Sequence, residues 1–253
     1  MITEKTFRLD GKIILVTGAS EGIGEAVAEA YAASGATVIL SARRMEKLEE
    51  VKSRIEKSGG KADCYRLDVS NVESIKLAKA YISDKYGRLD VLHNNAAFTT
   101  TKPAQDVSEE EWDKMIDIGL KGTYFMCITM YDLLKKANPG KIVNTASTAS
   151  STTIVGRTVY GAYKAGIERM TGSLAVEWAA DHILVNAIAP TAIMTPSRVS
   201  TLTTAMPGLV ARIPLGRIAQ LDDVMPAVVF LASPASDFIT GQTIYIDGGW
   251  SAW

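Results

Sequence analysis

Cysteine, net charge and long apolar runs are all scarce in this 253-residue chain, and each shortage removes a class of explanation. Only two cysteines occur, Cys64 and Cys127. They show no ligand or redox spacing, so they read as buried thiols in a reducing compartment, and no metal site is expected. A formal net charge of −1 offers no basic face for nucleic acid. No apolar run reaches membrane-spanning length, so no membrane partner is expected. The opening stretch MITEKTFRLDGK lacks the apolar centre of a signal peptide, and a cytoplasmic location is the expectation. No linker, low-complexity tract or internal repeat divides the chain.

What is present is 47% hydrophobic and 22% charged, enough for one domain over residues 1–253 with a sizeable core. Short apolar runs alternate with amphipathic stretches. Strands are predicted at Ile13–Thr17, Thr37–Leu40, Asp63–Leu67, Val91–His93, Lys141–Thr145, Leu184–Ile188 and Thr243–Ile246. The run Ile13-Ile14-Leu15-Val16 does not alternate, which marks a strand buried on both faces. Such strands separated by helices predict an α/β, doubly wound parallel sheet of about seven strands, Rossmann-type, with ligands at the strands' carboxyl ends. Ser108-Glu109-Glu110-Glu111 has the form of a capping box at a helix start. The least regular segment, Ser197–Pro214, reads as a mobile lid or a plain surface loop, within a substrate-loop segment at about 192–214.

After the first strand comes TGASEGIGEAVAEAYAASGA, with Gly18, Gly22 and Gly24 at a strand-to-helix turn. Glycine lets the backbone come close to a ligand, and free N–H groups at the helix start suit a pyrophosphate. The second strand ends in Ser41-Ala42-Arg43-Arg44. In such folds an acid at that place bonds a ribose hydroxyl, whereas an arginine accommodates a 2′-phosphate. No carboxylate stands there, so the arginines point to NADP(H), with NAD(H) as the other possibility. Arg43 is the better candidate and Arg44 reads as a solvated helix-start residue. Glu21, in the glycine loop, could weaken the preference.

TVYGAYKAGIERMTGSLAVEWA places Tyr160 and Lys164 four apart, on one helix face. An ammonium beside a phenol favours the phenolate and fits a tyrosine for proton transfer at a carbonyl or alcohol oxygen. Tyr163 is expected to point elsewhere, as packing. The preceding strand ends in NTAS, with Ser147 thirteen residues before Tyr160.

Taken in order, TGASEGIG (Thr17–Gly24), NNAA (Asn94–Ala97), NTAS (Asn144–Ser147), YGAYK (Tyr160–Lys164), VNAIAPTAIMT (Val185–Thr195) and GQTIYIDGG (Gly241–Gly249) resemble the classical short-chain dehydrogenases/reductases over essentially the whole chain. The resemblance implies that Tyr160 is the general acid/base, that Lys164 holds the nicotinamide ribose, and that Ser147 orients the substrate oxygen. Gly18, Gly22 and Gly24 would cradle the pyrophosphate, with Ser20 and Ile23 alongside. Asp68 and Val69 would lie near the adenine, and Asn94 and Ala96 beside the cofactor. Pro190, Ile193 and Thr195 would meet the carboxamide end. Asn94 and Asp68 could instead simply cap strand ends.

Three positions depart from the family pattern. Ala97 stands for a glycine, Thr191 follows Pro190 where a glycine is usual, and Gly119 in IDIGLKGTY replaces an asparagine that helps hold a proton-relay water. A backbone carbonyl survives that change, so Gly119 is expected to keep the chemistry working, with slower proton exchange.

The leading expectation is therefore an NADP(H)-dependent oxidoreductase that interconverts a ketone or aldehyde with an alcohol. Its pocket would draw on Ala149, Ser150, Ala192 and the Ser197–Pro214 segment. With only Arg198 and Arg212 charged there, a neutral polar or moderately apolar small molecule is favoured over a dianion. The alternatives are an NAD-dependent sugar or polyol dehydrogenase and, from another class, a catalytically idle cofactor-binding scaffold. An enoyl-reductase variant is disfavoured because its tyrosine and lysine are usually farther apart. Relatives are commonly homotetramers, built through helices near Glu111–Lys135 and Thr158–Ala180; a dimer is the second expectation. Met115, Ile118, Tyr124, Trp178, Trp250 and Trp253 could supply contacts or core.

Overall fold

The apolar runs become seven parallel strands in a computed structural model that describes residues 4–195 and 208–252. They are β1 (Ile13–Thr17), β2 (Thr37–Ala42), β3 (Lys61–Arg66), β4 (Val91–Asn94), β5 (Gly140–Thr145), β6 (Ile183–Pro190) and β7 (Thr243–Ile246). Their order in the sheet is β3-β2-β1-β4-β5-β6-β7. Each neighbouring pair is parallel, with Ile14 opposite Val38 on one side and Val91 on the other. The main helices are α1 (Gly22–Ala33), α2 (Met45–Lys57), α3 (Val72–Tyr86), α4 (Glu109–Ile116), α5 (Gly122–Lys135), α6 (Thr158–Glu177) and α7 (Leu221–Ala232).

The lack of alternation in β1 follows from where its two faces go. Ile14 and Val16 face one apolar layer with α1, α2 and α7, whereas Leu15 faces the other with α3, α5 and α6. In α2 the spacing Leu48, Val51, Ile55 delivers three nearly inaccessible side chains to the first layer. Burying each contributes roughly 1.5–3 kcal/mol, and an aspartate at Val51 would strand a charge there. Chain reversals carry matching chemistry. Asn71 caps α3 by accepting from the amides of Glu73 and Ser74, and Gly87 ends it with φ 74°. Ser108 and Glu111 form the expected capping box of α4.

The stretch expected as one long helix near Glu111–Lys135 is broken. Residues Asp117–Lys121 form a wider π turn between α4 and α5, and Gly119 is buried in its middle. Thr123 Oγ1 donates to the Gly119 carbonyl at 2.6 Å. Such single π turns inside helices are frequent at functional sites.

The chain leaves β1 toward β2 on one side of the sheet and returns to β4 on the other. The crevice above the carboxyl ends of β1 and β4 is thus the topological switch point, where ligands of open α/β sheets bind.

Candidate active site

A cleft of about 820 Å³ opens at that switch point. Its lining runs from Gly18, Ser20, Gly22, Ile23 and Gly24, past Arg43, Arg44, Asp68 and Val69, to Ser147, Tyr160, Lys164, Pro190, Ala192 and Thr195.

The glycine loop is held from two sides. Ala19 N donates to Ser41 O at 3.1 Å, which ties the loop to the end of β2. Asn95 Nδ2 donates to Thr17 O at 3.1 Å and Gly18 O at 3.3 Å, while Thr17 Oγ1 accepts from the amides of Asn95 and Ala96. A Cβ on Gly24 would drive into Gly18 O and Asn95 Nδ2, so only glycine allows α1 to begin so close to the strand. Gly18 and Gly22 both have positive φ, 67° and 65°. Over Gly22 the space is open: a Cβ there would first meet the Thr195 methyl at 3.9 Å. This backbone cradle at a helix start fits a pyrophosphate. The residues present therefore fit a dinucleotide.

Asp68 Oδ1 accepts from Ser70 N and Ser70 Oγ, at 3.0 and 2.6 Å, and this fixes the carboxylate at the cleft edge. Arg43 is exposed on the lining, as anticipated. Arg44 is an exposed residue at the start of α2, as expected, and it also has partners: its guanidinium lies 2.9 Å from Glu21 Oε1 and 3.2 Å from Ser20 Oγ.

At the other end, Ser147 caps a short turn, Thr148–Ser150, and its Oγ accepts from Ala149 N at 3.2 Å. Its own O–H remains to donate into the cleft. Tyr160 and Lys164 stand one turn apart on α6, with Lys164 Nζ 5.8 Å from the centre of the Tyr160 ring. Lys164 Nζ donates to the Thr145 carbonyl. Burial pushes its ammonium down to about 7.

Several anticipated residues stand behind the lining rather than in it. Asn94 Nδ2 donates to Asn144 Oδ1 at 3.0 Å and Cys127 Sγ at 3.3 Å, bracing β4 against β5 and α5. Ile193 is fully buried. Ala149 and Ser150 do not line this cleft, whereas Thr148 does. Gly119 lies under α6, against Tyr163. Residues 196–207, including Arg198, lie outside the described residues. Beyond them Leu209 joins the lining, and Arg212 lies 4.3 Å from the Trp250 ring, another lining residue.

Two contributors escaped the sequence reading. Asn95, the second asparagine of NNAA, clamps the loop, and only the β1–β4 pairing reveals it. Arg157 lines the cleft with its guanidinium 5.5 Å from the Tyr160 ring; its signal was a cation three residues ahead of the tyrosine, one helical turn away. Among the described residues no group of histidine, cysteine, aspartate or glutamate could hold a metal ion, and no helix is long and apolar enough to cross a membrane.

A family model described as enoyl-(acyl carrier protein) reductase matches residues 18–251. The chain is 40% identical over 242 residues to the 3-oxoacyl-(acyl-carrier-protein) reductase FabG of Thermotoga maritima, covering 96% of this chain and 98% of that protein. The chain belongs to the classical short-chain dehydrogenase/reductase family. This short-chain dehydrogenase/reductase is also 35% identical to a D-threitol dehydrogenase of Mycolicibacterium smegmatis, over 97% of this chain and 95% of the other. Among solved structures it matches a gluconate 5-dehydrogenase of Burkholderia cenocepacia in complex with NADP and tartrate. That match has a TM-score of 0.94 and 30% identity, covering 99% of each chain. As a member of the family it is an NAD(P)-dependent oxidoreductase acting on alcohol and ketone groups.

Proposed function

We propose that this short-chain dehydrogenase/reductase prefers NADP(H) and interconverts a carbonyl compound and its alcohol, with Tyr160 as general acid/base. One observation carries the reading: Ser147, Tyr160 and Lys164 share a single cleft with the glycine loop and Arg43. A nicotinamide bound in this cleft would supply the hydride chemistry, toward a carbonyl carbon in reduction and from an alcohol carbon in oxidation. Tyr160 Oη stands to donate a proton to the substrate oxygen in reduction and to remove it in oxidation. Ser147 Oγ–H stands to hydrogen-bond that same oxygen and to stabilise negative charge as it develops. Lys164 would hold the ribose hydroxyls beside Tyr160. Asp68 would accept from the adenine amine, and Arg43 would pair with the 2′-phosphate. The four-residue Tyr–Lys spacing supports carbonyl rather than enoyl chemistry. We further propose a homotetramer in a cytoplasmic setting.

A second reading, sugar or polyol oxidation with NAD(H), has the Glu21 carboxylate behind it, an anion beside the place where a 2′-phosphate would sit. The substrate end mixes apolar Phe98, Ile118, Ile154 and Trp250 with Thr99 and Thr101, which suits an uncharged carbonyl compound. Arg157 is the cation that would favour a carboxylate on the substrate. The test follows absorbance of NADPH and of NADH against ketones, aldehydes, sugars and sugar acids, and of the oxidised cofactors against matched alcohols. Turnover that favours NADPH and disappears in Tyr160→Phe is expected. Equal use of NADH overturns the cofactor preference, and unchanged turnover in Tyr160→Phe overturns the proton-transfer role.

A further inference from the structure

Gly119 and Tyr163 occupy what is, in effect, one side chain's worth of space. Gly119 is buried in the π turn between α4 and α5, and the ring of Tyr163 lies directly against it. A Cβ built on Gly119 would come 2.5 Å from Tyr163 Cε2 and 2.8 Å from Cδ2 and Cζ, far inside any real carbon–carbon contact. Even alanine would displace the ring. The asparagine of the family pattern is larger still and could not stand at 119 with Tyr163 where it is.

The ring so admitted is fixed at its other edges. Tyr163 Oη donates to Phe98 O at 3.0 Å, and Phe98 lines the cleft. Met115, Val159 and Ile167 surround the ring in a small apolar cluster of their own. Its plane meets that of Tyr160 at 79°, with the ring centres 5.2 Å apart, the edge-to-face arrangement that aromatic pairs prefer. Lys164 Nζ lies 5.5 Å from its centre. Tyr163 was expected to point away as plain packing; it is buried, but it is buried against the proposed acid/base. Burial also holds its phenol well above the ordinary tyrosine range, so Tyr163 keeps its proton and does no proton transfer itself.

We propose that Gly119 and Tyr163 form a size-matched unit in which Tyr163 is a positioning residue, its ring holding the Tyr160 phenol in place across the space that a side chain at 119 would otherwise fill. The inference rests on the reading of Tyr160 as the acid/base. It replaces the view that Gly119 is a tolerated loss: glycine there is the condition for the Tyr163 ring.

The test is a double-mutant cycle on the full chain, with Gly119→Asn, Tyr163→Ala, both together, and Tyr163→Phe. Each is read in kcat, KM, NADPH affinity by cofactor fluorescence, and melting temperature. Gly119→Asn alone is expected to lower kcat about tenfold or more, because small displacements of a reacting group are costly. Tyr163→Ala is expected to lower kcat several-fold with little change in KM, and Tyr163→Phe, which keeps the ring, to restore most of that loss. The double variant should recover most of what Gly119→Asn loses. Losses that simply multiply in the double variant overturn the unit. A fall in melting temperature with kcat unmoved in Tyr163→Ala reduces Tyr163 to packing and overturns the positioning role. If Gly119→Asn does not fold, the comparison of Tyr163→Ala with Tyr163→Phe decides alone. A wild-type protein inert toward every substrate sinks the functional reading instead, and NADPH affinity across the same four variants then decides the inference separately.

Discussion

Glu21 and Arg44 meet across the mouth of the glycine loop, with Arg44 Nη2 2.9 Å from Glu21 Oε1. Both side chains are well exposed, 61% and 47%, so the pair contributes at most about 1 kcal/mol to stability. Its consequence is electrostatic and local. In the proposed NADP(H) reading, the carboxylate that would oppose a 2′-phosphate is already partnered, which would leave Arg43 to meet that anion.

The first prediction follows from that division of labour. A charge-assisted hydrogen bond contributes about 1.5–3 kcal/mol, and about 1.4 kcal/mol is a factor of ten. Arg43→Ala should therefore cut the preference for NADPH over NADH about tenfold or more, measured as the ratio of kcat/KM values. Glu21→Gln should raise the same ratio by a smaller factor. An unchanged ratio in Arg43→Ala would remove Arg43 from cofactor recognition.

Ser147 and Tyr160 should separate chemistry from binding. General acid–base groups contribute about 10²–10⁴-fold, so Tyr160→Phe should lower kcat by that range. Ser147→Ala should lose about 10²-fold or more, as removal of an oxyanion donor does. NADPH affinity, read by fluorescence without substrate, should stay within a few-fold in both. A collapse of affinity in Ser147→Ala would mean that Ser147 holds cofactor rather than substrate oxygen.

His93 supplies a pH test that does not depend on catalysis. It is fully buried, with Nδ1 2.8 Å from Tyr31 Oη and Nε2 3.1 Å from Thr145 Oγ1. Burial pushes it from 6.5 down to about 3, so the folded protein keeps it neutral where the unfolded chain takes up a proton. Stability is then fully present above about 6.5 and is lost as pH falls toward 3, by on the order of a few kcal/mol. His93→Asn should show a shallower acid dependence of unfolding midpoint, even if it is less stable at pH 7. Parallel acid profiles for the two proteins would contradict a neutral buried imidazole.

Assembly is tested at the surface. Trp112 on α4, Tyr124 on α5 and Val176 on α6 are 47%, 43% and 81% exposed, whereas Met115 and Trp250 have gone to the core. Light scattering in solution should give the mass of a tetramer, with a dimer as the second expectation. Val176→Arg should lower that mass, because a buried unpaired guanidinium opposes association. A monomer at micromolar concentration would show that these side chains have no partner subunit to cover them.

Much of this was legible in the chain because the signals were local. Ile13-Ile14-Leu15-Val16 lacks alternation since α1 covers one face of the sheet and α5 the other, and all seven strands fall within a few residues of expectation. Ser108 and Glu111 are three apart and cap one helix end, so spacing alone discloses them. What stayed hidden depends on contacts between distant segments. Asn95 reaches Thr17 only because β4 pairs with β1, and Arg44 finds Glu21 only because β2 ends beside the glycine loop. The partnership of Gly119 and Tyr163 joins two helices 44 positions apart, and a missing side chain has no pattern of its own to announce which ring will fill its place.

Gly24 offers the sharpest test of the cofactor cradle. Its added Cβ would strike the Gly18 carbonyl, which is backbone, and the Asn95 side-chain amide, which is tied to Thr17 O and Gly18 O by hydrogen bonds. Overpacking of this kind costs roughly 1–3 kcal/mol, and here the strain falls on the turn that would meet the pyrophosphate. Gly24→Ala should therefore weaken NADPH binding about tenfold or more in a protein that still folds. Gly59→Ala is the control for backbone strain without crowding: unlike Gly24 it has positive φ, 82°, and nothing lies within 4 Å of its Cβ position. That variant should lose only about 1–2 kcal/mol of stability from left-handed backbone strain and keep its cofactor affinity. Equal affinity losses in the two variants would show that destabilisation, rather than the shape of the glycine loop, governs binding.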